Sequence, residues 1–323
     1  MRNRRVSIGA GRPVPLASVD GNRSIVFSSR SCAMPFCLIC TFRAPATPGG
    51  AFRIERISSA GVKLRRFLQT RRRSPFSRWI ARRAERLLLA YRNFDYDMSR
   101  NGELWLIGRL TDIDRPVLYD VGANHGHWTM KATEILPGAE VHCFEICPTT
   151  FTKLEANLRG RAGVRLNPFG LSNEHGMVEF KYFPQDDGKT SLFDYPHPKK
   201  SLRVTGEVRP GDEHMRASGT TRVHLLKIDT EGAEHLVLGG LTEALATHRI
   251  DLIQFEYGRV NILSRFLLKD YYDLLSGHGY VVGKLYPGYV DFKAYVLEDE
   301  DFLGPNYVAC RNDLHGLIEM LKG

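Results

Sequence analysis

"VLYDVGANHGHWTM", residues 117–130, runs from a short apolar stretch through a tight turn into a segment of helical spacing. An apolar strand, a glycine-bearing turn and then a helix form the repeating unit of a parallel α/β sheet. Gly122 and Gly126 let the backbone turn sharply and come close to a ligand, where a Cβ would intrude. A dinucleotide fingerprint needs G-x-G-x-x-G; the spacing here is G-x-x-x-G, with Asn124 in place of the second glycine. Asp120 stands at the mouth of the turn, where a carboxylate repels a pyrophosphate and attracts an ammonium. The ligand expected is therefore cationic and free of phosphate. S-adenosylmethionine, with its α-ammonium and sulfonium, meets both conditions.

Outward from this stretch, strand and helix patterns alternate. "AEVHCFE" reads as a second strand, "PTTFTKLEANLRG" as a helix opening at Pro148, and "VRLNPFGLS" as a third strand. Residues 176–208 break the rhythm with a hairpin or edge pair around a Pro/Asp/Gly-rich loop. Alternation returns with "VHLLKID", a helix through "AEHLVLGGLTEALATH", the strand "IDLIQFE" and a helix through "RFLLKDYYDLLSGHG". "YVVGKLY" and "YVDFKAYVL", joined by a short turn, end the run as an antiparallel hairpin. The fold class that follows is α/β: a doubly wound, Rossmann-like, mostly parallel sheet with an antiparallel edge hairpin.

The 43% hydrophobic and 25% charged content is that of a globular chain, so the +9 formal charge needs locating before it implies a partner. Residues 1–75 hold 15 Lys/Arg against two acids, Asp20 and Glu55. The other 248 residues hold 30 basic and 34 acidic side chains. The basicity thus belongs to an arm. Residues 1–52, rich in Ser, Arg, Gly and Pro, are expected to be disordered. Residues 53–112 carry helices, and 113–323 form the Rossmann-like domain. In "VKLRRFLQTRRR" and "FSRWIARRAERLLLAYRNF" apolar residues recur at helical spacing, predicting amphipathic helices docked on the domain with a solvated arginine face. That reading is preferred to contact of the basic arm with an anionic membrane. Cys32, Cys37 and Cys40 lack a fourth ligand for zinc, and Cys143, Cys147 and Cys310 show no framework spacing, so a reducing, cytoplasmic location is expected.

The second predicted strand ends in Glu145, nineteen residues after Gly126, where an acid accepts hydrogen bonds from ribose hydroxyls. With "DVGANHGHWT", "FEICPTTFTKLEANL" and "LLKIDTEGAEHLVLGG" in this order, the chain resembles the FkbM-type S-adenosylmethionine-dependent methyltransferases over roughly residues 94–310. "RNGELWLI" resembles the family's lead-in helix. One departure is Ile146, where the family usually has proline after the glutamate. The resemblance implies that Asp120, Gly122, Asn124, Gly126 and Glu145 line the cofactor and that a hydroxyl is methylated, often on a sugar or secondary-metabolite scaffold.

"KIDTEGAE" supplies the chemistry. Methyl transfer is an in-line displacement for which the protein aligns the acceptor oxygen and helps remove its proton. Asp229 and Glu231 are candidate bases at the end of the fourth long strand, and Glu256 stands at the end of the fifth. Glu234 could instead cap the following helix. Converging carboxylates could also hold Mg²⁺, but the reading adopted is a metal-free base. The loop 185–201, with Ser191, Tyr195 and His197, is read as a substrate-selecting lid, and His125 and His127 as lesser candidates. A small-molecule or glycan hydroxyl is the expected acceptor and no nucleic acid is expected: no N-P-P-Y motif stands where "DTEG" does, and aromatics are sparse in the arm. The alternatives are a nucleic-acid methyltransferase that uses the arm, or a cofactor-binding fold without catalysis.

Overall fold

A computed structural model describes residues 59–194 and 196–323. The expected disordered arm, its three cysteines and Tyr195 lie outside the described residues. The chain divides into two compact units, Met1–Arg72 and Arg73–Gly323. Of the first, residues 59–72 are described, and they hold helix α1 (Ser59–Thr70).

The second unit opens with α2 (Pro75–Tyr91) and α3 (Glu103–Gly108). Next come β1 (Val117–Val121), α4 (His127–Ile135), β2 (Glu140–Phe144), α5 (Pro148–Leu158), β3 (Val164–Asn167), β4 (Gly170–Ser172), β5 (Gly176–Tyr182) and β6 (Leu202–Pro210). After them run α6 (Gly211–Ser218), β7 (Val223–Ile228), α7 (Glu234–Gly239), α8 (Thr242–Ala246), β8 (Ile250–Glu256), α9 (Asn261–Ser264) and α10 (Leu268–Gly277). The chain closes with β9 (Tyr280–Tyr286), β10 (Tyr289–Phe292), β11 (Asn306–Arg311) and α11 (His315–Lys322).

Eight strands form the main sheet in the order β10-β9-β11-β8-β7-β1-β2-β3. From β3 through β8 the pairs are parallel, and β11 runs antiparallel to both β8 and β9. The chain leaves β1 toward β2 and β3 on one side and returns to β7 and β8 on the other. The β1–β7 junction is therefore the switch point, where such sheets open a ligand crevice at the carboxyl ends of their strands. Strand residues feed two cores, as expected for a sheet covered on both faces. Tyr119, Val121, Leu226, Ile228, Ile253 and Phe255 pack on one side, and Leu118, Leu225, Leu252 and Val141 on the other with Trp128 and Leu154.

Four local expectations change. "VRLNPFGLS" is two strands, not one: β3 stays in the main sheet, while β4 crosses into a three-stranded sheet with β6 and β5. The β9–β10 hairpin forms at the edge as expected, but β11 inserts between β9 and β8, and its short apolar run was not read as a strand. The helix through "AEHLVLGGLTEALATH" breaks after Gly239. Gly240 lies so close to the Ser172 carbonyl that a Cβ would stand 1.9 Å from the oxygen. The fourth change is at α2, which is not docked through its apolar face: only Ser77 is buried, while Trp79, Leu87, Leu88 and Tyr91 are exposed. Among the described residues no helix is long and apolar enough to cross a membrane.

Candidate active site

A cavity of about 310 Å³ opens at the carboxyl ends of β1, β2, β7 and β8. Its lining includes Gly122, Asn124 and Glu145 from the first two strand ends, and Asp229, Glu231 and Glu256 from the other two. Residues 186–192 of the 185–201 insertion cross over it. Of the eight catalytic and cofactor residues expected from sequence, six line this cavity, as does Ser191 of the insertion. Asp120 and Gly126 do not.

Asp120 is wholly buried. Its carboxylate accepts from Thr129 Oγ1 at 2.7 Å and from Lys227 Nζ at 3.1 Å. Strand register places it directly across from Lys227, and Lys227 Nζ also lies 3.4 Å from Asp229 Oδ2. A carboxylate already paired with an ammonium has little field left for a second cation. The expected attraction of the ligand to Asp120 is thereby corrected. Gly126 serves packing: at φ 81°, its missing Cβ would stand 2.8 Å from Leu154 and Leu158 side-chain carbons on α5.

The charge of the crevice comes from other residues. Glu145, Asp186, Asp187, Asp229, Glu231 and Glu256 line it against a single lysine, Lys189. That lining leaves no unpaired basic side chain for a pyrophosphate, since Lys189 is taken by Glu231. Glu145 accepts backbone N–H groups from Asn124 and Cys147, each at 2.9 Å, and so ties the two turns together. Burial pushes its carboxyl up to about 7, against the pull of those two donors. Asn124, held at φ 46°, keeps a buried side-chain oxygen with no hydrogen-bond partner among the described residues. A buried orphan acceptor beside an acid suits a ligand that brings N–H or O–H donors, as the ammonium, adenine and ribose of S-adenosylmethionine do. The residues present fit that cofactor.

Across the crevice, Asp229, Glu231 and Glu256 bring one carboxylate oxygen each to within 4.8 Å of one another. Glu231 sits in the left-handed region at φ 49°, in the turn that Glu234 organises. Glu234 Oε1 accepts from the Thr230 and Gly232 amides at 3.0 and 3.1 Å, so it serves the turn as a cap and does not line the cavity. Burial, with Asp229 adding and Lys189 opposing, moves Glu231 up to about 7. Burial and then the Asp229 and Glu231 charges hold Glu256 well above the usual carboxylate range. Three oxygens at this spacing could ligate a divalent cation, but a protein cation already reaches one of these carboxylates. Lys189 Nζ donates to Glu231 Oε1 at 2.6 Å. Burial works against the Lys189 charge, and Glu231, Glu256 and Asp229 outweigh it and keep the ammonium above its ordinary range.

Lys189 and Lys227 were not singled out from sequence: a lone lysine in a loop carries no local signal, and the one signal for Lys227 is a charge inside the apolar run of β7. The loop holding Lys189 was, and the structure shows how it is tied down. Asp187 binds His125 Nε2 at 2.8 Å and Lys153 Nζ at 2.7 Å, and Ser191 Oγ donates to the Glu231 carbonyl at 2.7 Å. His125 and His197, which pairs with Asp186 at 3.2 Å, thus brace the strap and do not line the cavity.

Residues 120–282 match the Methyltransferase FkbM domain family. Among curated relatives, Methyltransferase 1 of Beauveria bassiana is 31% identical over 149 residues, 40% of this chain and 60% of that protein. The 31-O-demethyl-FK506 methyltransferase FkbM of Streptomyces tacrolimicus is 29% identical over 198 residues, 51% of this chain and 73% of that protein. The 2-O-methyltransferase NoeI of Sinorhizobium fredii is 26% identical over 148 residues, 42% of this chain and 60% of that protein. The chain spans about 60% of the length of the first relatives it matches.

Proposed function

The chain belongs to the FkbM methyltransferase family, with S-adenosylmethionine as methyl donor, and we propose that it methylates a hydroxyl on a sugar, glycan or secondary-metabolite acceptor in the cytoplasm. The observation that carries this reading is the meeting of Asp229, Glu231 and Glu256 on one wall of the cavity that Glu145 and Asn124 line on the other. In this reading Glu145 and Asn124 hold the nucleoside and amino-acid ends of the donor, and Gly122 keeps the wall between them low.

When bound, the cofactor supplies an electrophilic methyl and a neutral thioether leaving group. The acidic wall receives the hydroxyl proton of the acceptor. A carboxylate base works best when its own pKa lies near the working pH, and burial places Glu231 there. Lys189 holds the Glu231 carboxylate in place and limits how many negative charges the cluster repels. A phosphate-bearing acceptor meets a lining whose single lysine is already paired with Glu231, which favours a neutral hydroxyl over a nucleic-acid backbone. Two of the relatives are named as O-methyltransferases or act on an O-demethyl substrate, which supports a hydroxyl acceptor here. Cys143, Cys147 and Cys310 are free thiols, which supports a reducing compartment.

Calorimetric titration of the whole protein with S-adenosylhomocysteine, repeated on Glu145→Ala, tests the cofactor half. Transfer of labelled methyl to a panel of sugars and polyol scaffolds, with Asp229→Asn, Glu231→Gln and Glu256→Gln, tests the acceptor half. Tight binding without any hydroxyl methylation would reject the acceptor class and keep the cofactor.

A further inference from the structure

Helix α2 is 17 residues, about 25 Å, and begins cleanly: Ser74 accepts the Ser77 amide at 3.1 Å and Pro75 fills the first turn. Its far end is fastened to the domain. Arg92 bonds Asp301 at 2.5 Å, and the buried Asn93 side chain donates to the Asn101 and Leu285 carbonyls at 2.7 and 2.9 Å. Between these ends the helix lies open among the described residues. Ile80, Ala84, Leu87 and Tyr91 share one face at four- and three-residue steps, with Leu88 beside it. Leu87 is 74% exposed, Tyr91 80% and Leu88 46%. Arg78, Arg82 and Arg86 line the opposite face, and Arg83 lies over the Trp79 ring at 5.6 Å. Among the described residues none of these four arginines has a carboxylate partner, and the only acid in the helix is Glu85.

We propose that α2 is a peripheral membrane anchor that lays its leucine and tyrosine face into the headgroup boundary of an anionic bilayer, with its arginines on lipid phosphate and carboxylate groups. The occupant follows from the chemistry of the two faces together. Leu87, Leu88 and Tyr91 offer aliphatic and aromatic area that a nucleic-acid backbone cannot use, while four unpaired arginines disfavour an apolar protein groove. An interfacial helix combines low overall hydrophobicity, an apolar stripe and arginine-rich flanks. The "RRR" at 71–73 extends the basic tract at its amino end. The anionic cytoplasmic leaflet suits the location proposed for the enzyme.

The test is sedimentation of the full chain with phosphatidylcholine vesicles with and without roughly 30% phosphatidylserine, a content chosen to give a strong surface potential. The expected result is binding to the anionic vesicles only, accompanied by a blue shift of tryptophan fluorescence. Arg82→Glu with Arg86→Glu, and separately Leu87→Glu with Tyr91→Glu, should each lower partitioning at least about tenfold. Both double variants should keep the S-adenosylhomocysteine affinity of the parent, which shows that they fold. No vesicle binding, equal binding to neutral vesicles, or binding untouched by either variant overturns the proposal. So does binding to homopolymeric RNA in place of vesicles, or a dimer that Leu87→Glu with Tyr91→Glu splits.

Discussion

Lys227 on β7 and Asp120 on β1 are direct neighbours across the parallel ladder, and their charges meet at 3.1 Å in the interior, below the floor of the crevice. Trp128 covers the lysine from one side, its ring centre 6.0 Å from Nζ. Lys227 thus lies between two carboxylates, its Nζ also 3.4 Å from Asp229 Oδ2. Removing one partner of a buried pair leaves the other charge stranded. Lys227→Met should cost about 3–5 kcal/mol in urea unfolding, and adding Asp120→Asn should restore a good part of it. A Lys227→Met protein as stable as the parent would show that the pair is not coupled in the way drawn here.

Lys189 pulls the Glu231 carboxyl down while burial pushes it up to about 7. A base must be ionised to accept a proton, so methyl transfer should rise as pH climbs through about 7. Lys189→Met removes the downward pull, and the rising limb of the pH–rate profile should move to higher pH with little change in its plateau. A limb that stays in place in Lys189→Met would remove Glu231 from the base role.

Glu256 has a folded-state pKa well above its ordinary value because burial and two neighbouring carboxylates oppose its charge. The folded chain thus holds this proton at pH values where the unfolded chain has released it. The contribution to stability is full below the unfolded pKa and is lost as pH rises toward the folded one. Glu256→Gln keeps the shape without the charge, so it should raise Tm at pH 8 and change it little at pH 4.5. An equal effect at both pH values would contradict the assigned cause.

Gly122 adopts φ 77°, and a Cβ there would stand 1.9 Å from the Asp229 carbonyl oxygen. Gly122→Ala should cost at least about 3 kcal/mol, combining left-handed strain with a backbone collision. Gly138 has no atom within 4 Å of its ideal Cβ, and Gly138→Ala should change stability by no more than about 0.5 kcal/mol. Thermal melts of the two variants decide between these outcomes, and equal losses would contradict the close approach.

The alternation of strands and helices was legible in the sequence because apolar runs, Pro148 and the "YDVG" and "KIDTEG" turns are local signals. So were the acids at four strand ends, since parallel strands deliver their carboxyl ends to one edge. What the ends face was not local. Asp120 and Glu145 both look like crevice acids in one dimension; cross-strand register buries the first against Lys227 and turns the second to the cavity. A charged residue inside each of two apolar strands was the signal available for that pair. Lys189 reaches Glu231 only because the strap folds back over residues 42 positions away. The exposed face of α2 was likewise misjudged: helical periodicity reports that a helix has an apolar side, and only its tertiary neighbours decide whether that side is covered. Local pattern thus set the elements and the edge where the site lies, while charge compensation and burial, which depend on long-range proximity, were decided by the folded chain.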